Sequence, residues 1–287
     1  MKLLVAPDSA MLRTPDGKYW CPTIYAYSFF ERYLQVFESI VVVSRVKHVG
    51  QDEVAGFLRC DGPGMTVAEL PDMHGTADYV RKLLPFLIGA RASVRDVDCA
   101  VVRLPSVPAS IVLGAVRRKG LHYALEVVVD PETAYAGNRL ASRFFAALLR
   151  KQCREADGVS YVTRDYLQSR YPSHVRLYGE DGKHFESFYS TIRLSAGYYG
   201  EPKQYAGKTA FTLIHTANNM NNDVKGHSVL LHAARIVVDK GFDISLRFVG
   251  DGALREQFEE TAEKLGLRNR TVFVGRLSGA DDVRNEL

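Results

Sequence analysis

The 287-residue sequence contains no Cys-x-x-Cys pair, and its four cysteines, Cys21, Cys60, Cys99 and Cys153, stand dozens of positions apart. That spacing excludes a zinc knuckle and a thioredoxin-type redox pair, and isolated cysteines in a chain of this length point to a reducing compartment. No apolar run approaches the ~20 residues that a membrane span needs. The first residues, Met1 to Ala6, are too short for a secretory apolar region and run straight into Pro7 and Asp8. They read as a first buried strand, and the expected location is cytoplasmic. A Gly-x-Gly-x-x-Gly fingerprint follows none of the expected strands, which leaves a nicotinamide-dependent oxidoreductase or epimerase without support. Charge is also weak. The net charge of +4 and pI near 8.8 suit acidic small molecules or anionic lipid headgroups, but not nucleic acid.

What is present is a globular composition, 46% hydrophobic and 24% charged, long enough for two domains. From Phe211 to Gly275 the pattern is strand, polar loop, helix, strand, Gly turn, helix, strand. The strands are the runs Thr209–Ala217, Ile244–Val249 and Thr271–Gly275, with a helical run at Ser228–Asp239. This is the alternation of a parallel α/β sheet, in which ligands sit at the carboxyl ends of the strands.

The upstream chain repeats the alternation. Lys2–Ala6 reads as a strand, and the Pro- and Gly-dense stretch Pro7–Thr23 reads as a loop without regular elements. Ile24–Phe37 reads as a helix whose aromatic stripe, including Tyr25, Phe29, Phe30 and Tyr33, packs in the core. Further helices are expected over 76–92 and from Pro108 to Arg118, and strands at Ile40–Ser44, Cys99–Arg103, Tyr123–Val129 and Gly158–Thr163. A long helix is expected over Tyr135–Ala156. On it Arg139, Arg143, Arg150 and Arg154 form one stripe beside Leu140, Phe144 and Leu148. Such a face can dock on an anionic membrane surface; the plainer alternative is a solvated face over a packed helix. The polar, Gly- and Pro-punctuated segment near 198–208 divides a first domain, 1–197, from a second, 209–287.

Several motifs carry chemistry. Lys225 and Gly226 follow a strand and open a helix, where unpaired N–H groups and a lysine charge suit a diphosphate. Gly250, Asp251 and Gly252 join a strand to a helix through a turn that favours glycine. Glu126 and Asp130 bracket the carboxyl end of a strand, so either could serve as a catalytic carboxylate; a turn aspartate before Pro131 is the plainer account of Asp130. Asp96-Val97-Asp98 leads into a buried strand without a ligand cluster, and Gly207-Lys208-Thr209 precedes a strand rather than following one, so neither is taken as a site. His215, His227 and His232 are not spaced to ligate one metal, and His232 is expected on the packed side of its helix.

The second half resembles the nucleotide-sugar-binding domain of glycosyltransferase family 4, the retaining transferases of the GT-B fold. The resemblance is carried by Phe211–Ala217, Lys225-Gly226, Leu230, Ala233-Ala234, Phe248–Gly252 and Val272–Gly275, and more loosely by Glu126–Pro131 and Ala156–Thr163. It implies two Rossmann-like domains, an acceptor on the first and a UDP- or GDP-type donor on the second, with no metal and no further cofactor. By resemblance Lys225 contacts the donor diphosphate, while Gly226, Asn219, Gly250, Asp251, Gly252, Gly275 and Arg276 line the donor pocket. Asn218, Asn219, Asn221 and Asn222 stand where members often carry an arginine, and the later Glu-x7-Glu segment of the family is absent.

Ser278 to Asp281 reads as a helix start with only about two turns following, so the second domain is expected to be incomplete. The resulting expectation is a GT-B glycosyltransferase, C-terminally truncated, moving a sugar from a nucleotide-sugar to a glycan or lipid-linked acceptor in polysaccharide assembly. Contact at the inner face of the membrane would accompany it. The alternative is a non-catalytic binding or assembly subunit whose second domain a partner chain completes.

Overall fold

The structure is a computed structural model that describes all residues except 22–24, 74, 136, 191–195, 218 and 278–279. It divides into two compact units, Met1–Thr191 and Ile192–Leu287, so the 198–208 segment falls within the second. In chain order the first unit runs β1 (Lys2–Ala6), β2 (Ala10–Arg13), β3 (Tyr19–Cys21), α1 (Tyr27–Leu34), β4 (Ser39–His48), β5 (Leu58–Arg59), β6 (Met65–Pro71) and α2 (Gly75–Ser93). It continues with β7 (Cys99–Leu104), α3 (Val107–Lys119), β8 (His122–Val127), α4 (Pro131–Ala134), α5 (Arg139–Glu155), β9 (Gly158–Tyr161), α6 (Tyr166–Arg170), α7 (His174–Tyr178) and β10 (Phe185–Phe188).

The parallel strands are ordered β10-β9-β8-β7-β1-β4, with β6 on the far side of β4. Alternation along each strand sends side chains to two cores. Leu4, Ala6, Val41, Val43, Val102 and Leu104 pack under α2, α3 and α5. Leu3, Val5, Ile40 and Val42 pack with Phe30 of α1 on the opposite face. Tyr25, Phe29 and Tyr33 lie against that second core, so the aromatic stripe is a packing surface, as its helical spacing predicts.

Three expectations are corrected. Pro7–Thr23 is not free of regular elements, because β2 continues the sheet beside the second half of β4 and β3 pairs antiparallel with β2. The Pro15-Asp16-Gly17 cluster is a hairpin turn, with Gly17 at φ +81° and Thr14 Oγ1 donating to Asp16; the first sheet is therefore mixed. The Ile24–Phe37 helix is shorter, Tyr27–Leu34, and Ile24 lies outside the described residues. The long helix expected from Tyr135 starts four residues later. The short α4, capped by Asp130, ends at Ala134, and Asn138 Oδ1 caps α5 by accepting the Ala141 N–H at 3.1 Å, so α5 begins only at Arg139.

The second unit contains β11 (Ala210–Thr216), α8 (His227–Asp239), β12 (Asp243–Val249), α9 (Arg255–Lys264), β13 (Thr271–Gly275) and α10 (Ala280–Glu286). The strands are parallel in the order β11-β12-β13. Ile244, Leu246 and Phe248 of β12 meet Leu231 and Ala234 of α8 and Phe258 and Ala262 of α9. Burying Phe248 alone contributes roughly 1.5–3 kcal/mol. On the other face Arg247 forms a two-pronged hydrogen bond with Glu286 of α10, at 2.8 and 3.0 Å. The expected cap at Ser278 lies outside the described residues. His232 is exposed, contrary to expectation, because the packed side of α8 is set by His227, Leu231 and Ala234.

Candidate functional site

At the carboxyl ends of β11, β12 and β13 the backbone is stitched into a continuous floor. Ala217 N–H donates to Val249 O at 2.9 Å, Gly250 N–H to Gly275 O at 2.8 Å, and Met220 N–H to Asp251 O at 2.9 Å. The glycines are required by this stitching. A Cβ on Gly250 (φ +132°) would stand 1.7 Å from Ala217 O, and one on Gly252 would stand 2.6 Å from Asn221 Oδ1 and 2.7 Å from the Met220 backbone. Sequence reasoning allowed the glycines a ligand-facing role or a purely geometric one; their close approach is to the neighbouring loop.

Asn221 Oδ1 also accepts the Ala253 N–H at 3.0 Å, tying the loop after β11 to the start of α9. Asp251 Oδ1 accepts the Gly252 N–H at 2.9 Å, and its other oxygen lies 3.6 Å from Arg255 Nη1. Asn219 is half-buried in the same loop, and Arg276 is exposed just beyond β13.

Gly226, at φ +77°, is the N-cap of α8. Lys225 beside it is exposed, and its carbonyl accepts a hydrogen bond from His215 Nε2 at 2.8 Å. The start of this helix already carries an anion, since Asp223 Oδ1 accepts the Ser228 N–H at 3.1 Å. Below it His227 is fully buried, stacked on Phe258 with ring centroids 4.8 Å apart and 4.5 Å from the His215 ring. Burial, and then His215, lower the His227 pKa below the ordinary histidine value. These two rings, which sequence reasoning set aside as non-ligands, form the support under Lys225. Arg255 was also missed: its Nη2 donates to Phe273 O at 3.1 Å and its Nε to Glu259 at 2.9 Å, beside Gly275. The only sequence signal for it was its position one turn beyond a Gly turn.

In the first unit Glu126 and Asp130 belong to separate clusters. Glu126 is in register with Arg103 of β7. It accepts from Arg103 Nη1 at 3.0 Å, Arg32 Nη2 at 3.1 Å, Tyr33 at 2.8 Å and Tyr189 at 3.1 Å. The Arg32 guanidinium also lies over the Phe29 ring at 4.1 Å. Burial, and then the Glu126 carboxylate, push the Tyr33 and Tyr189 phenols well above their ordinary value, so both remain donors. Asp130 accepts from the Glu132 N–H, Tyr166 and Tyr171, with Arg170 Nε 3.0 Å away. Burial raises its pKa, but these hydrogen bonds and the Arg170 charge outweigh burial and hold it below the usual carboxylate range. Both carboxylates are thus saturated with donors, which suits anchoring rather than the acid–base work expected of them. Asp98 is likewise engaged, accepting the Lys2 N–H at 2.7 Å.

Residues 208–287 match the family model described as "Glycosyl transferases group 1". Over 282 residues the chain is 25% identical to "Protein CapJ" of Staphylococcus aureus, covering 96% of this chain and 68% of CapJ. The structure is similar to that of "lipopolysaccharide outer core galactosyltransferase WaaB apo form", with a TM-score of 0.56 and 11% identity, over 100% of this chain and 71% of that one. At that identity the likeness concerns the fold, which is the α/β fold of GT-B glycosyltransferases. The matched segment, 208–287, is the one that carries the stitched floor and Lys225.

Proposed function

We propose that the chain binds a nucleotide-sugar, of the UDP or GDP type, on the strand ends of its second unit. It would transfer the sugar, with retention, to a glycan or lipid-linked acceptor in polysaccharide assembly. The observation that carries this reading is the coincidence of the family match with the floor formed by Gly250, Gly252 and Gly275. There an exposed Lys225 offers positive charge to a diphosphate; the start of α8 beside it adds to that charge only as far as Asp223, which accepts the Ser228 N–H, leaves it uncompensated. Asn219, Asp251 and Arg276 would border the same pocket. A cation fixed at a departing diphosphate stabilises the charge that develops in the transition state. Lys225→Ala should weaken UDP- or GDP-sugar binding tenfold or more, since a hydrogen bond to a charged group contributes about 1.5–3 kcal/mol. Isothermal titration checks this, and an unchanged dissociation constant would remove the cradle.

The saturation of Glu126 and Asp130 favours a second reading, a non-catalytic binding or assembly subunit. Radiolabelled donor separates the two: labelled glycan or lipid product excludes the second reading, and donor binding without product excludes the first.

The acceptor side draws on α5. Leu140 is 81% and Phe144 63% exposed, flanked by exposed Arg139 and Arg143, and a groove of about 350 Å³ lies between α3 and α5. No helix among the described residues is long and apolar enough to cross a membrane. Apolar tips among arginines suit the surface of an anionic bilayer. Flotation with phosphatidylglycerol vesicles should capture the chain and lose most of it on Leu140→Asp with Phe144→Asp; equal capture of that variant would refute the contact.

A further inference from the structure

Away from both strand-end regions, the segment between α7 and β10 gathers His174, Asp181 and His184, with one ligand atom of each within 4.8 Å of the others. His174 is the first residue of α7, and the other two belong to the turn leading into β10. Asp181 Oδ1 accepts the N–H groups of Lys183 and His184, each at 2.9 Å. That fixes the carboxylate and leaves Oδ2 to the imidazoles, 2.7 Å from His184 Nδ1 and 3.7 Å from His174 Nε2. The two rings stack with centroids 3.8 Å apart and 14° between planes, and Tyr178 lies against His174 at 4.8 Å.

We propose that His174, Asp181 and His184 bind a divalent transition-metal ion of the zinc class, a role independent of the glycosyl-transfer reading. Two imidazoles and one carboxylate are the donor set that zinc, cobalt and nickel accept, with a fourth position left to water. The two backbone amides on Asp181 Oδ1 supply the outer hydrogen bonds that orient a ligating carboxylate. An ordinary aspartate turn would need only Asp181 and its amides. It gives no reason for a second imidazole, from a different element, to stack on the first beside the same oxygen. Metal binding requires the rings to leave their parallel stack so that both lone pairs converge. His174 and His184 can do this by side-chain rotation, since both are part-exposed. The ion would join the start of α7 to the turn before β10, the edge strand that delivers Tyr189 to Glu126.

The test uses the whole chain, stripped with a chelator and titrated with Co²⁺ and Zn²⁺. The expected result is one equivalent bound in the micromolar range, with a cobalt ligand-field spectrum lacking a thiolate charge-transfer band. Zinc at a hundredfold excess over its dissociation constant should raise the unfolding midpoint by about 5 °C. Mg²⁺, which prefers an all-oxygen shell, should have no effect. Each of His174→Ala, His184→Ala and Asp181→Asn should weaken Co²⁺ binding at least tenfold. The proposal is overturned by the absence of saturable binding below millimolar Co²⁺, by a thiolate band, or by unaltered affinity in the folded double variant His174→Ala, His184→Ala. Should a variant fail to fold, the cobalt spectrum of the unmutated chain still decides, because cysteine ligation and histidine–carboxylate ligation absorb differently.

Discussion

Gly250→Ala is expected to destabilise the second unit by at least about 3 kcal/mol, enough to unfold it under mild denaturant. Two costs combine. A non-glycine residue at φ +132° is strained, and its Cβ would meet Ala217 O at 1.7 Å, well inside contact distance. Relief would require the loop after β11 to lift, breaking the bonds from Ala217 to Val249 and from Met220 to Asp251 that close the floor. Gly207→Ala is the control. Gly207 has φ +77°, but a Cβ there would have nothing within 4 Å, so only the backbone term, about 1–2 kcal/mol, should appear. Urea unfolding of both variants separates strain from collision. Equal losses would mean that the floor yields easily and that its glycines serve something else.

Glu126→Ala should cost the first unit about 3–5 kcal/mol. The side chains of Glu126, Arg103 and Arg32 are only 11%, 9% and 21% exposed, so removing the carboxylate leaves two guanidinium groups without their shared partner and with little water. Tyr33 and Tyr189 lose their acceptor at the same time. Adding Arg103→Ala to Glu126→Ala should recover part of the loss, giving a coupling that a double-mutant cycle reads directly. A stability change below about 1 kcal/mol on Glu126→Ala would contradict an anchoring role. If turnover then vanished while stability held, the acid–base role expected from sequence would be restored.

These outcomes bear on how the candidate site could be read at all. Lys225 and Gly226 were legible because a helix start after a strand leaves a local trace: a polar loop, a glycine, then an apolar period of a helix. Gly250 and Gly252 were legible as a turn, but their neighbour was not, since nothing in Phe248–Gly252 announces Ala217 or Met220 as the loop pressed against it. Asp130 was recognisable as a turn aspartate from the proline that follows it. The donor cluster around Glu126 was not recognisable, because its partner Arg32 lies 94 positions away. The Pro7–Thr23 stretch misled for a related reason. Its turn residues were visible, but the strand partner that converts them into a hairpin, the second half of β4, is remote in sequence.

The sequence by itself determined the α/β alternation, most strand and helix positions and the strand-end loops where a ligand would sit. Hydrophobic period and turn chemistry act over a few residues, so they are written locally. Only the tertiary structure decided that the glycines are held by loop-to-loop contact, that His215 and His227 support Lys225, and that Glu126 is neutralised by two arginines. It also decided that His174, Asp181 and His184 converge. Convergence of side chains from separate elements depends on register and packing, and a buried charge or a missing Cβ acquires its meaning only from the neighbours that packing brings to it.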